Sequence, residues 1–326
     1  MTPPAPSPAT DAVTVLVSHP SAADAYAVLV RQRFPSLRVL SATDAASVER
    51  HIAEADVLLG PRFPAEVFDK ARRLRWFQCT NAGVDTVLPI RDRVGDLIVT
   101  NARGMHGEII TDYVMAGITM LHWDFPRFMR EQSRKEWNAR PIAPLGERTL
   151  GVVGLGSIGA AIARRGKSAG MTVIGTKRDT TQPVAGVDTL LPPDGLDELL
   201  RLSDFVVLAV PQVPDTTRLI GRRQLQQMRR TAILVNIARG SVVVEAELVE
   251  ALQAGTIAGA VLDVFEREPL PADSPLWTMP NVIVTPHVSG NPTDYIARAV
   301  DIFADNLPRF LEKKPLRNVV NLKRGY

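Results

Sequence analysis

The sequence predicts an α/β fold of two domains, each a doubly wound parallel sheet covered by helices, with one domain inserted into the other. Three observations predict it. Short apolar runs alternate with amphipathic stretches along nearly the whole chain, the signature of strands and helices taking turns. The 326 residues exceed what one hydrophobic core usually serves. The alternation is interrupted between 124 and 148 by charged and Pro-rich sequence, including Arg134-Lys135-Glu136-Trp137, which marks a boundary or a projecting arm.

In the first third, strands are expected at 13–17, 37–40, 57–59, 76–79 and 97–100, separated by helices such as 22–34 and 65–74. A long apolar helix is expected at 107–121. A second series starts at 150, with strands at 150–153, 171–176, 205–210, 232–236, 259–262 and 282–285 and helices at 158–169, 195–202 and 245–253. A helix at 292–311 and a polar tail close the chain. Too few strands remain there for a third domain, so this end is expected to pack back on the first. The expected division is a substrate domain at 11–104 and 290–326, a dinucleotide domain at 105–289, and a disordered leader at 1–10.

The remaining composition narrows the function class. Hydrophobic residues at 45% and charged residues at 22% suit a globular protein, and no apolar run approaches the roughly 18 residues of a membrane span. The opening MTPPAPSPAT has neither the basic start nor the apolar core of a signal peptide, and a cytoplasmic location is expected. Cys79 is the only cysteine, so no intrachain disulfide or thiolate metal cluster can form; its apolar setting predicts a buried strand position. Net charge is +3, with Lys and Arg scattered among acids, which gives nucleic-acid binding no support. No metal site is expected.

Three strand ends and one turn carry the chemistry. Arg148 to Gly159 reads as a buried strand breaking into Gly154-x-Gly156-x-x-Gly159 and opening a helix. Gly154 permits the turn, Gly156 lets a pyrophosphate approach the backbone, and Gly159 lets helix and strand pack closely, as in a Rossmann-type dinucleotide site. Twenty residues on, where an NAD site places an acid, stand Thr176-Lys177-Arg178, with Asp179 beyond the expected position. Two cations there pair with a 2′-phosphate, so NADP(H) is the preferred cofactor and NAD(H) the possible second; the plain alternative is a solvated basic pair. Arg239 follows the strand ending at Asn236, where open α/β sheets place ligands, and can hold a carboxylate bidentately or make an ordinary surface ion pair. Glu268 stands before Pro269 and His287 after Thr285-Pro286, both beyond strand ends. A carboxylate beside the imidazole would fix its tautomer and suit it to protonate a ketone oxygen as hydride arrives. His19, His51, His106 and His122 lack such a setting and are expected on the surface or in packing, and Glu266 and Arg267 are expected as solvated loop charges.

In these motifs the chain resembles the D-isomer-specific 2-hydroxyacid dehydrogenase family over nearly its whole length. The segments that carry the likeness are 154–159, 236–240, 262–271 and 285–290; Ser274-Pro275-Leu276-Trp277 and the closing Arg324-Gly325-Tyr326 lean toward its glyoxylate/hydroxypyruvate reductase branch. The resemblance implies a catalytic set of Arg239, Glu268 and His287, with Asp263 near the nicotinamide carboxamide. It implies further dinucleotide contacts from Ser157, Ile158, Val210, Pro211, Thr216, Ile237, Ala238, Ser289 and Gly290, and a flavodoxin-like α/β substrate domain. There the loop Asn81-Ala82-Gly83-Val84-Asp85 would offer the Ala82 and Gly83 amides to the substrate carboxylate; independently, a Gly-containing turn after a strand is a plausible anion nest or an ordinary βα turn. The segment near Trp137 often crosses to a second subunit in this family, which is compatible with a homodimer, while the sequence equally permits a core tryptophan. Two departures stand out: Lys177-Arg178 replaces the acid of NAD-dependent members, and no regulatory domain is expected after residue 320.

The expected activity is reduction of a small 2-oxo acid by NADPH to the D-2-hydroxy acid. An NAD-linked dehydrogenase for another D-hydroxy acid is the nearest alternative. A dinucleotide-sensing interaction protein, like the family's corepressor relative, would keep the same triad; the absence of long tails counts against it.

Overall fold

The computed structural model describes residues 13–326, so the leader expected at 1–10 lies outside the described residues. The described residues form two compact units: one holds the residues up to Met105 together with Thr293–Tyr326, the other His106–Pro292.

In the first unit the strands are β1 (Thr14–Ser18), β2 (Arg38–Ala42), β3 (Val57–Gly60), β4 (Trp76–Cys79) and β5 (Ile98–Thr100), all parallel in the order β2-β1-β3-β4-β5. β1, β3 and β4 are apolar almost throughout because both faces of a central parallel strand are covered. Helix α1 (Ala23–Arg33) follows β1, and the short α2 (Ala45–His51) is capped by the Asp44 carboxylate, which accepts the Ser47 amide at 2.7 Å. The helix expected at 65–74 is instead a 3-10 helix at Ala65–Lys70. It stops where Ala71 leaves helical torsions, at φ −78° and ψ 59°, its amide closing the last turn on the Phe68 oxygen at 2.9 Å.

The second unit contains β6 (Thr149–Val153), β7 (Thr172–Thr176), β8 (Thr189–Leu191), β9 (Phe205–Leu208), β10 (Ile233–Asn236), β11 (Gly259–Leu262) and β12 (Val282–Val284). They form one parallel sheet in the order β12-β11-β10-β9-β6-β7-β8. The helices are α3 (Gly107–His122), α4 (Phe125–Arg134), α5 (Ser157–Ser168), α6 (Leu196–Leu202), α7 (Arg222–Gln227) and α8 (Glu245–Gln253). Two apolar clusters sandwich the sheet: one joins α3 and α5 to β6, β7 and β9, the other joins α6, α7 and α8 to β9, β10 and β11. β8 and α7 were not expected, and the stretch at 124–148 is not arm alone, because α4 fills its first part. Arg127 Nε donates to the buried Glu131 carboxylate at 2.6 Å, so α4 is held partly by a charge pair that hydropathy does not reveal.

The chain then returns to the first unit as α9 (Tyr295–Leu311), which packs on α1 and β1. Phe303 stacks on the fully buried Trp76 with ring centroids 5.2 Å apart. Val320 donates its amide to Val99 at 2.8 Å, tying the tail to β5.

Candidate active site

Because the strands of the second unit are all parallel, every strand leads to the same sheet edge, where ligands of open α/β sheets bind. In spatial order from β12 to β7, this edge presents His287, the Glu268 loop, Arg239, the Val210 turn, the glycine turn and Lys177-Arg178. Residues scattered over more than a hundred positions thus become one row, with His287 and Glu268 toward one end and the basic pair toward the other.

The glycine turn is crowded at Gly154 and Gly159 and open at Gly156. Gly154 has φ 97°, and a Cβ there would lie 2.9 Å from the Ala209 carbonyl oxygen. A Cβ on Gly159 would lie 2.0 Å from the Gly154 oxygen, whereas one on Gly156 would meet nothing within 4 Å. The backbone is therefore closed behind the turn and open in front of it, as a phosphate resting on the α5 N-terminus requires. Thr176 Oγ1 accepts the Gly154 amide at 3.2 Å, so the end of β7 braces the turn. Ser157 and Pro211 are exposed, and Ile158 and Val210 half-buried, along the same edge. Half-buried Thr216 braces the turn after β9: its hydroxyl donates to the Pro211 oxygen at 2.5 Å and accepts the Val213 amide at 3.0 Å.

At the end of β7, Arg178 pairs with Asp215 at 3.0 Å, both side chains largely exposed. Asp179, the next residue in sequence, accepts the Thr181 amide and hydroxyl at 3.0 and 2.6 Å, which holds its carboxyl below the usual range.

Asn236 organises the Arg239 turn. Its Oδ1 accepts the Ala238 amide at 3.1 Å and its Nδ2 donates to the Arg239 oxygen at 3.0 Å, fixing Ile237, Ala238 and Arg239 at the strand end. Gly240 then passes so close to the neighbouring loop that a Cβ would lie 1.8 Å from the Phe265 carbonyl carbon, which brings the Arg239 and Glu268 loops together.

His287 Nδ1 and Glu268 Oε2 are 2.7 Å apart, with about half of the histidine side chain exposed. The second Glu268 oxygen accepts the Phe265 amide at 3.1 Å, so the carboxylate is aimed from behind. Asp263, fully buried, turns its carboxylate to the histidine loop: Oδ1 accepts the Val288 amide at 2.9 Å and the Thr285 hydroxyl at 2.6 Å, and Oδ2 accepts the Ser289 amide at 2.9 Å. Tyr113 of α3 hydrogen-bonds Thr285 Oγ1 at 2.7 Å, and burial raises its phenol to about 12. Gly290 ends the loop beside His106. Glu266 is not merely solvated: it and Glu245 each accept the other's backbone amide, at 3.2 and 3.1 Å.

In the first unit, the loop after β4 is fastened by its carbonyls. Tyr295 of α9 shares its hydroxyl proton between the Thr80 oxygen at 2.8 Å and Asn81 Oδ1 at 3.0 Å. Asn101 donates to the Ala82 oxygen at 2.7 Å, and the buried Cys79 thiol lies 3.4 Å from the Gly83 oxygen. Ala102 donates its amide to the Asn81 oxygen at 2.9 Å, and with the Ala82 oxygen also engaged the peptide planes that carry the Ala82 and Gly83 amides are fixed. Sequence reasoning missed Tyr113, Asn236, Asn101 and Tyr295, all of which support the candidate residues from a distance in sequence.

Of the other histidines, His106 is buried, which lowers it to about 4, and His122 Nε2 lies 2.7 Å from the Ala143 oxygen. Trp137 is 96% exposed, which rules out a core position within the chain. Among the described residues, no group of three or more His, Cys, Asp or Glu side chains is placed to hold a metal, and no helix is long and apolar enough to cross a membrane.

The family model described as D-isomer specific 2-hydroxyacid dehydrogenase, NAD binding domain, matches residues 115–289. A D-3-phosphoglycerate dehydrogenase of Methanocaldococcus jannaschii is 33% identical over 95% of this chain, which spans only 60% of that relative's length. A glyoxylate reductase of Korarchaeum cryptofilum is 38% identical over 81% of each chain. A D-isomer specific 2-hydroxyacid dehydrogenase from Xanthobacter autotrophicus Py2, solved with NADPH and MES, is 32% identical with a TM-score of 0.87, covering 97% of this chain and all of the other.

Proposed function

Since this chain belongs to the D-isomer-specific 2-hydroxyacid dehydrogenase family, we propose that it reduces a small 2-oxo acid, such as glyoxylate or hydroxypyruvate, to the D-2-hydroxy acid with NADPH. The observation that carries this reading is the 2.7 Å contact between His287 and Glu268 on the same sheet edge as the glycine turn.

NADPH, when bound, supplies hydride from C4 of its nicotinamide to the carbonyl carbon. The chain's residues do the rest. Ser157, Ile158 and the open face of Gly156 receive the pyrophosphate, with Val210, Pro211, Thr216, Ile237, Ala238, Ser289 and Gly290 lining its course. The Ala82 and Gly83 amides and the Arg239 guanidinium hold the substrate carboxylate, and Arg239 polarises the carbonyl. His287 Nδ1–H donates to Glu268, which leaves Nε2–H to protonate the carbonyl oxygen as the alkoxide forms; the histidine ends neutral and is reprotonated from solvent. In the other direction the same nitrogen takes the hydroxyl proton.

Preference for NADP(H) rests on Lys177 and Arg178, on the engagement of Asp179 with Thr181, and on the NADPH-bound Xanthobacter relative. The exposed Arg178–Asp215 pair is the kind worth about 0–1 kcal/mol, so a 2′-phosphate displaces it readily. Exposed Trp137, Met129 and Phe125 on one stretch of the second unit support a homodimer; a monomer mass in solution sinks that part.

A spectrophotometric panel of 2-oxo acids with NADPH and NADH tests the whole reading. His287→Gln is expected to lose on the order of 10² to 10⁴ in turnover while still binding NADPH, and Lys177→Ala/Arg178→Ala to lose the NADPH preference. Normal turnover in the first variant removes the assigned proton donor, and an unchanged preference in the second removes the cofactor argument.

A further inference from the structure

The opposite edge of the seven-stranded sheet, where its strands begin, holds a cavity of about 490 Å³. Arg148 immediately precedes β6, Asp204 precedes β9 and Asn281 precedes β12, so parallel topology gathers them there, with Arg140 and Arg230 from separate segments. The size falls in the range of about 300–1,000 Å³ typical of small-molecule sites.

The acids of this cavity already have partners. Asp204 accepts the Thr149 amide at 2.9 Å and Arg229 at 3.0 Å, and Asp124 pairs with Arg140 Nη2 at 2.9 Å. His122 lies against the Ala143 oxygen. Arg230 Nε donates to the Gly255 oxygen at 3.4 Å. The Nε–H groups of Arg140 and Arg148 are buried and meet no acceptor among the described residues. Buried donors are nearly always paired, and an unmet one on a cation is costly. Three arginines line the cavity against two acids, and one of those acids, Asp204, is already paired with Arg229, so the lining carries an excess of positive charge that calls for oxygen atoms of negative charge.

We propose that this cavity binds a small oxyanion, a metabolite bearing a phosphate or carboxylates, held by Arg140 and Arg148 with Arg230 at the cavity wall. Both anion types fit the planar guanidinium fork. The site lies across the sheet from the candidate active site, so its ligand steadies the strands that carry the chemistry without touching the reacting atoms.

The test is thermal unfolding of the full chain, with and without saturating NADPH, titrated with inorganic phosphate or citrate against chloride of equal ionic strength. NADPH occupies the glycine turn and so removes it as a competing anion site; failure of NADPH itself to raise the midpoint counts against the proposed function and leaves this inference standing on the NADPH-free arm. The expected result is a saturable rise with at least one of the two anions. Arg148→Gln/Arg230→Gln should weaken its half-saturation by about tenfold or more while basal turnover stays unchanged. Arg230→Gln alone, at a surface-exposed position, gives the same readout in smaller degree should the double variant not fold. No saturable rise with either anion overturns the proposal, as does an equal rise in the variants. A variant that changes the protein's mass in solution also overturns it, because the acceptor is then a second copy's carboxylate.

Discussion

His287 holds left-handed backbone torsions, φ 53°, a conformation that a residue with a Cβ adopts only when its surroundings enforce it. Here the enforcing group is Asp263, whose two oxygens take three donors from residues 285, 288 and 289 while its backbone oxygen accepts the His287 amide at 2.9 Å. The imidazole is thus delivered by a buried carboxylate that need not meet substrate. The same logic applies to the loop after β4, where Tyr295 fixes the carbonyls behind the proposed carboxylate nest. Tyr295→Phe removes one shared hydrogen bond, of order 1 kcal/mol. It is expected to raise KM for the oxo acid roughly fivefold with kcat nearly unchanged, because in the proposed function the loop binds the substrate and takes no part in the reaction. Steady-state kinetics decide; a fall in kcat at constant KM is the contrary outcome.

At the scale of elements, the turn between β6 and α5 separates two uses of glycine. Gly156→Ala places its methyl in open space, so stability should stay within about 0.5 kcal/mol while dinucleotide affinity falls. Gly159→Ala drives a methyl into the Gly154 carbonyl oxygen and should lose about 1–3 kcal/mol as well as the cofactor. Urea unfolding and NADPH titration of both variants check the split, and equal stability losses would contradict it. The strands of this sheet were legible because buried parallel strands are continuous apolar runs: 76–79 and 259–262 were read to the residue. β8 was not, since it is an edge strand of three residues with no fully buried position. The glycine turn and the pairing of Glu268 with His287 were legible as local motifs. Tyr113 was not, because its meaning lies in Thr285, 172 residues away, and nothing local distinguishes it from any apolar helix position. Likewise Asn236 reads as an ordinary strand end until its two hydrogen bonds to the Arg239 turn are seen.

For the molecule as a whole, burial of His106 links stability to pH. Its folded value of about 4 lies below the ordinary 6.5, so the unfolded chain binds its proton first as pH falls. The contribution, up to about 3 kcal/mol, is complete above pH 6.5 and is lost as pH falls through that value toward 4. Urea midpoints at pH 7 and 5 should therefore differ in the native sequence and converge in His106→Gln; an unchanged difference assigns the acid sensitivity elsewhere. A last consequence follows from where Gly290 ends its loop. A Cβ on it would lie 3.4 Å from the His106 ring, so the second unit enters and leaves its fold at neighbouring points. A segment with adjoining ends has the connectivity of a cassette: 106–292 carries the entire sheet edge from the glycine turn to His287. Exchange of whole cofactor modules between such chains is open to this architecture in a way that exchange of the discontinuous first unit is not.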